Sequence, residues 1–366
     1  MPRIIDITRE LEKLAPLSYQ ESYDNAGLLV GNVHTEVTGV LITLDVTEEV
    51  VEEAKNRNCN LIVAHHPIIF KGLKKLNGNN YVERTIIKAI QNDIAIYATH
   101  TNLDHVSQGV NGMIAEKLGL LNLKILAPKK QLLKKLTFFT PLSHSQQIMD
   151  ALFEAGAGQI GQYRHCSFRT DGTGTFLPGE AAKPVIGESG RLEEVHEHRI
   201  EVMFPSHLES KVLSVLRAAH PYEEVAYYLH LLENENQEVG AGAIGELPED
   251  MDPQSFLNLL KTQMKASVVK YTAPAGSAIK RVAICGGAGS FLLGDAKRAK
   301  ADVFVTADYK YHEFFGAESS IMICDIGHYE SEVFTKDLLY NYLSGIFSNF
   351  ALCLSAVNTN PVRYFV

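Results

Sequence analysis

Three short runs in the first hundred residues, 39–44, 60–64 and 94–98, are apolar but for Thr43 and the leading Asn60, with no polar alternation. A strand of that kind is buried on both faces and needs a layer of helices above and below it. The intervening segments supply them. Val50, Val51 and Ala54 recur at helical spacing behind Asp45 or Thr47, either of which can cap a helix, and Val82, Ile86, Ile87 and Ile90 do the same between Tyr81 and Asn92. Residues 4–14 predict a further amphipathic helix, and Tyr23-Asp24-Asn25-Ala26-Gly27 predicts a turn feeding Leu28, Leu29 and Val30. The rhythm predicts an α/β domain whose mostly parallel sheet is covered by helices.

After Leu126 the texture changes. Pro128-Lys129-Lys130 and Lys134-Lys135 make a basic, proline-marked stretch that reads as a domain boundary. Beyond it come a strand at 136–140, a helix at 143–155, strand material at 163–176, a Gly- and Pro-punctuated excursion at 178–190, a strand at 199–204, a helix at 207–219 and a strand at 224–232. That order, βαββαβ, is the ferredoxin-like plan. From Arg281 the first rhythm resumes, with strands at 282–285, 303–305 and 321–324, helices at 291–300 and from His328 into Leu343, and a last strand at 351–354. One interrupted α/β domain is therefore expected, with halves at 1–127 and 271–366 and an inserted α+β domain at 128–270.

Composition narrows the function classes. With 34 Lys plus Arg against 43 Asp plus Glu in 366 residues, the formal net charge of -9 argues against duplex nucleic acid as a partner, although a local basic groove stays open. No stretch approaches the roughly 20 consecutive apolar residues of a membrane span. The charged start, Arg3 through Glu10, lacks the apolar block of a signal peptide, so a cytoplasmic protein is expected. The five cysteines are scattered and form no CxxC, which predicts neither disulfides nor a thiolate zinc knuckle. Histidine, with 14 residues, is the informative type.

His65-His66-Pro67 stands directly behind the apolar run at 61–64, where open α/β sheets place functional groups. Adjacent residues leave a strand in opposite directions, so the two imidazoles reach two different metal ions more readily than one. The run at 94–98 ends in Thr99-His100-Thr101-Asn102-Leu103-Asp104-His105, and the run at 321–324 ends in a segment where His328 and Glu332, four apart, share one helix face. His65, His66, Asp104, His328 and Glu332 are too many ligands for one catalytic zinc with an open position. They suit two divalent ions sharing a carboxylate, with Glu332 as the bridge. Zinc, iron and manganese all accept this donor set. His100 and His312 are candidates for moving protons.

Two other motifs read as structure. Gly286-Gly287-Ala288-Gly289-Ser290 lacks the lysine of a P-loop and reads as a tight strand-to-helix turn; Asp308, Lys310, His312 and Glu313 after the run at 303–305 either line the same crevice or form a solvated first helical turn. Ala219-His220-Pro221-Tyr222-Glu223-Glu224 sits where a helix must stop and become a strand.

The elements Asp24-Asn25-Ala26-Gly27-Leu28, His65-His66-Pro67, His100-Thr101-Asn102-Leu103-Asp104 and Gly327-His328-Tyr329-Glu330-Ser331-Glu332 resemble those of the GTP cyclohydrolase 1 type 2 homologs, also called the interacting-factor-three-like family. The match covers about residues 1–125 and 270–366, and the longer bacterial members are similar in carrying a CutA-like insert. The resemblance implies a dinuclear site, with His65, Asp104 and Glu332 on one ion and His66, His328 and Glu332 on the other, facing the cavity of a toroidal homohexamer. It also implies a metal-dependent hydrolase of the GTP ring-opening kind, acting on a nucleotide or related small molecule. The alternative is a metal-holding regulatory or scaffold oligomer whose insert senses a ligand or partner.

Overall fold

The computed structural model describes residues 1–348 and 351–365, which divide into two units: Met1–Ala127 with Glu238–Val366, and Pro128–Gln237. The first unit holds two sheets where one was expected. One runs in the order Gly27–Val30, Ala95–Ala98, Leu61–Ala64, Val40–Thr43, Leu352–Leu354. Its inner strands are parallel, with Val40 opposite Leu61 and Leu61 opposite Ala95, and Gly27–Val30 closes one edge antiparallel. Every residue of the three central strands is buried, as their unbroken apolar character requires. Glu48–Asn56 and Tyr81–Gln91 pack Val50, Val51, Ala54, Ile86 and Ala89 against Leu41, Ile62 and Ile96. Thr47 caps the first of these helices, accepting from the Val50 amide at 3.3 Å, and leaves Asp45 for another task.

The second sheet runs Lys270–Tyr271, Met322–Asp325, Val303–Ala307, Ile279–Ala288, Asn236–Met251, Leu121–Lys129. Its long strand Asn236–Met251 moves the second domain boundary. Ala243, Ile244 and Gly245 pair with Ile284, Ala283 and Val282, so residues 238–270 belong to the first unit and not to the insert. Gly and Ala are depleted in strands, so the Gly-Ala repeat there carries little strand propensity. The glycines are required by close approach instead. A Cβ on Gly242, at φ +63°, would sit 2.8 Å from Leu292, and one on Gly245 would sit 3.0 Å from Leu120. The helix expected from His328 into Leu343 is broken into His328–Glu332 and Thr335–Ile346.

The second unit has one antiparallel sheet in the order Ser167–Phe176, Glu193–Pro205, Leu133–Pro141, Tyr227–Leu232. Two helices, Ser145–Glu154 and Glu209–Ala219, cover one face of it, and Leu136, Phe138, Ile148, Leu152, Ile200, Val202, Phe204 and Leu216 form the core between. Among the described residues no helix is long and apolar enough to cross a membrane. All five cysteines are free, with Cys59, Cys285 and Cys324 buried.

Candidate metal centre

His65 and His66 follow the strand Leu61–Ala64, Asp104 ends the short helix Thr101–Asp104, and His328 and Glu332 are the ends of the helix His328–Glu332. The first three follow strands of one sheet of the first unit, the last two a strand of the other. The structure brings all five side chains together. His65 Nε2 lies 3.6 Å from Asp104 Oδ1 and 3.9 Å from Glu332 Oε1. Glu332 Oε2 lies 2.9 Å from His66 Nε2 and 3.0 Å from His328 Nε2. His65, Asp104 and Glu332 therefore form one cluster of converging donor atoms, and His66, His328 and Glu332 a second.

The tautomer of each imidazole is set from behind. His65 Nδ1 lies 2.9 Å from the Thr99 carbonyl, which can only accept, so the ring donates there and Nε2 is a bare lone pair on a side chain with 0% exposure. His66 Nδ1 donates to Asp45 Oδ1 at 2.7 Å, and Asp45 Oδ2 in turn accepts from Thr359 Oγ1 at 2.6 Å. His328 Nδ1 donates to Asp308 Oδ2 at 2.8 Å. Such carbonyl and carboxylate partners are what metal-ligating histidines use to aim the opposite nitrogen.

Three buried atoms, His65 Nε2, Asp104 Oδ1 and Glu332 Oε2, have no aligned hydrogen-bond partner among the described residues. Glu332 Oε2 is close to two imidazole nitrogens, yet with the ring protons on Nδ1 no N–H points at it. A buried acceptor left unpaired is costly. The electrostatics call for the same remedy. Burial, then the nearby Glu332 carboxylate, pushes the Asp104 carboxyl up to about 7. Burial also opposes charge on Glu332, but the imidazoles of His328, His65 and His66 that face it hold its carboxyl well below the usual range. Burial opposes charge on His66 and His328, but Asp45 and Glu332 lift the first to about 9, and Asp308 and Glu332 lift the second to about 11. All of these directions describe one field that favours positive charge where the Nε2 atoms meet. The residues present fit divalent cations.

The supporting contacts explain motifs that sequence reading assigned elsewhere. Asp24 accepts from His100 Nδ1 at 2.8 Å and from the Thr101 amide at 3.0 Å, so the Asp24–Gly27 turn fixes the helix that ends in Asp104. Gly287 is no part of a turn. It continues the strand Ile279–Ala288 at φ +62°, and a Cβ there would lie 2.4 Å from Glu332 Oε1. His100 converges with His65 and His66 as a third group of donor atoms, its ring centroid 5.4 Å from each of theirs. His312 does not. It is exposed on the 3-10 segment Tyr311–Ala317, against Tyr311 and Phe315, and belongs to none of the clusters found among the described residues. Asp45 was read only as a cap, because nothing local in sequence ties it to His66.

A cavity of about 660 Å³ opens on the His66 and His328 side, lined by Asp45, Lys270, Asp308, Tyr329 and Tyr364 among others. The fold and cluster define an α/β protein with a partly buried imidazole and carboxylate centre beside a cavity. The family model for Duf34/NIF3 (NGG1p interacting factor 3) matches residues 2–361, and the chain belongs to that family. It is 40% identical over 329 residues to a Bacillus subtilis protein described as a GTP cyclohydrolase 1 type 2 homolog, covering 89% of this chain and 88% of the relative. A homolog of the same description from Halalkalibacterium halodurans is 38% identical over 358 residues, 96% of each chain. The crystal structure of a Bacillus cereus protein related to NIF3 superposes with a TM-score of 0.89 at 38% identity, covering 100% of this chain and 99% of that one.

Proposed function

We propose that the protein is a dinuclear metal-dependent hydrolase acting on a nucleotide or related small molecule. The observation that carries this reading is the division of Glu332, whose Oε1 faces His65 and whose Oε2 faces His66 and His328. His65, Asp104 and Glu332 would hold one ion, and His66, His328 and Glu332 the other, with zinc, iron or manganese all suited to the donors. Bound there, two ions supply Lewis acidity and acidify water near neutral pH. The chain's own contribution is to fix the donors through Thr99, Asp45 and Asp308, and to admit substrate through the cavity beside His66 and His328. His100, whose Nδ1 donates to Asp24, leaves Nε2 free to carry a proton beside the cluster.

The descriptions of the curated relatives as GTP cyclohydrolase 1 type 2 homologs support GTP as the first substrate to assay. The insert's strand order supports reading it as a ferredoxin-like, CutA-like domain. The likeness of the site motifs to the family's toroidal homohexamers supports self-association, which light scattering of the full chain tests. The experiment for the activity is reconstitution with zinc, manganese or iron followed by assay against GTP and a panel of phosphoesters. Turnover that falls with metal occupancy in Glu332→Gln supports the hydrolase. Full occupancy with every substrate untouched leaves the second reading, a metal-holding scaffold whose insert serves regulation.

A further inference from the structure

The insert carries a built pocket that the metal chemistry does not use. On the sheet face away from the two helices, a cavity of about 780 Å³ lies between the strands and the excursion that runs through Pro178, Pro184 and Ile186. Its walls are Phe139, Phe176, Tyr222 and Tyr228 with Leu177 and Val185, and Phe139 and Tyr228 meet edge to face at 5.9 Å. One side chain in it is both charged and more than nine-tenths buried. Glu197 has 7% exposure, and its Oε1 accepts from Tyr222 Oη at 2.9 Å. Gly174 makes room for the other oxygen, since a Cβ there would lie 2.3 Å from Glu197 Oε2.

The motif His220-Pro221-Tyr222-Glu223 builds this place. His220 Nε2 donates to the Phe139 carbonyl at 2.8 Å while Nδ1 accepts from the Tyr222 amide at 3.1 Å, which locks the helix-to-strand turn against the sheet. Tyr222 then holds Glu197, and Glu223 Oε1 accepts from the Lys183 amide at 2.7 Å, tying the roof down. The roof braces itself through Gly190 N to Pro178 O at 2.9 Å and Ser189 Oγ to Gly179 O at 2.9 Å. Three residues of one turn thus organise floor, carboxylate and cover, more than ending a helix requires. A neighbouring relay, Ser145 to His198 to Asp171, is no rival. Ser145 is buried and Asp171 is 84% exposed, the reverse of an accessible nucleophile.

The lining carries four carboxylates, on Asp171, Glu197, Glu223 and Glu224, against the single guanidinium of Arg199, which is itself paired with Glu201 at 2.7 Å. Aromatic faces around a desolvated carboxylate recognise an organic cation, the carboxylate by charge-assisted hydrogen bonding and the rings by their quadrupoles. We infer that the insert is a binding domain for a small organic amine, its ammonium on Glu197 and its apolar body between Phe139, Phe176 and Tyr228. This rests on the insert alone and stands or falls apart from the metal reading.

The test uses the full chain and three probes of one size: phenethylammonium, 2-phenylethanol and phenylacetate, each titrated and followed by saturation-transfer NMR. Phenethylammonium should bind at least tenfold more tightly than the other two. Glu197→Gln, which can still accept from Tyr222, should abolish the preference while metal content stays that of the unaltered chain. Should that variant misfold by circular dichroism, Tyr228→Ala removes an exposed ring from the wall and should weaken phenethylammonium without touching Glu197. Equal affinity for the three probes, saturation by none, or a preference that survives substitution in a folded variant overturns the assignment.

Discussion

The Nε2 atoms of His66 and His328 face each other at 3.3 Å, and Glu332 Oε2 lies within 3.0 Å of both. Each ring has its Nδ1 turned to a carboxylate, on Asp45 and Asp308, so the three facing atoms are all electron-rich. Lone pairs at that separation repel unless a positive charge sits among them. A proton relieves part of the repulsion, and a divalent ion relieves it more completely, because it takes all three donors at once.

The carboxylates behind the rings should therefore matter to metal binding although neither is a ligand. Asp45→Ala and Asp308→Ala are each expected to weaken affinity for zinc by roughly 10–100-fold, the usual effect of removing such a partner. Competition with a chromophoric chelator measures it. Unchanged affinity in both variants would separate these residues from the site.

Gly287→Ala tests the close approach of the strand Ile279–Ala288 to Glu332. A Cβ at φ +62° is strained, and its 2.4 Å clash falls on a carboxylate that is only 3% exposed and has nowhere to turn. The fold should lose about 1 kcal/mol or somewhat more, and metal content should drop by at least one ion per chain. Full occupancy in elemental analysis would show that Glu332 has other room.

Much of the candidate site was legible because each of the five donor residues follows an apolar run, and His65-His66 and Asp104 follow strands that are buried on both faces. The pairing of Asp45 with His66 and of Asp308 with His328 was not, since each spans about twenty residues of chain and depends on how two strand ends are set side by side. The second sheet was hidden for a different reason. Its strand through Gly240, Gly242 and Gly245 is chosen for clearance, and among its glycines and alanines only Val239 and Ile244 are the β-branched residues by which strands are recognised. His312 misled because proximity in sequence to Asp308 says nothing of which way a 3-10 turn faces.

Acid stability should depend on Asp24. Burial tends to raise its carboxyl, but hydrogen bonds from His100 and Thr101 outweigh it and hold the folded value well below the ordinary 3.8. A carboxyl depressed on folding adds stability that is complete above the unfolded value and disappears as pH falls through the folded one. Asp24→Asn should therefore be less stable than the unaltered chain near neutrality, by a gap that narrows below about pH 4. Urea unfolding at a series of pH values reads this directly, and a gap that stays constant into acid would place the stabilisation elsewhere.

The most direct test of the account is the number and position of bound ions. Crystals grown with manganese, measured at a wavelength where manganese scatters anomalously, should show two peaks per chain. One should touch His65, Asp104 and Glu332, the other His66, His328 and Glu332. A single peak, or two peaks that do not share Glu332, would contradict it.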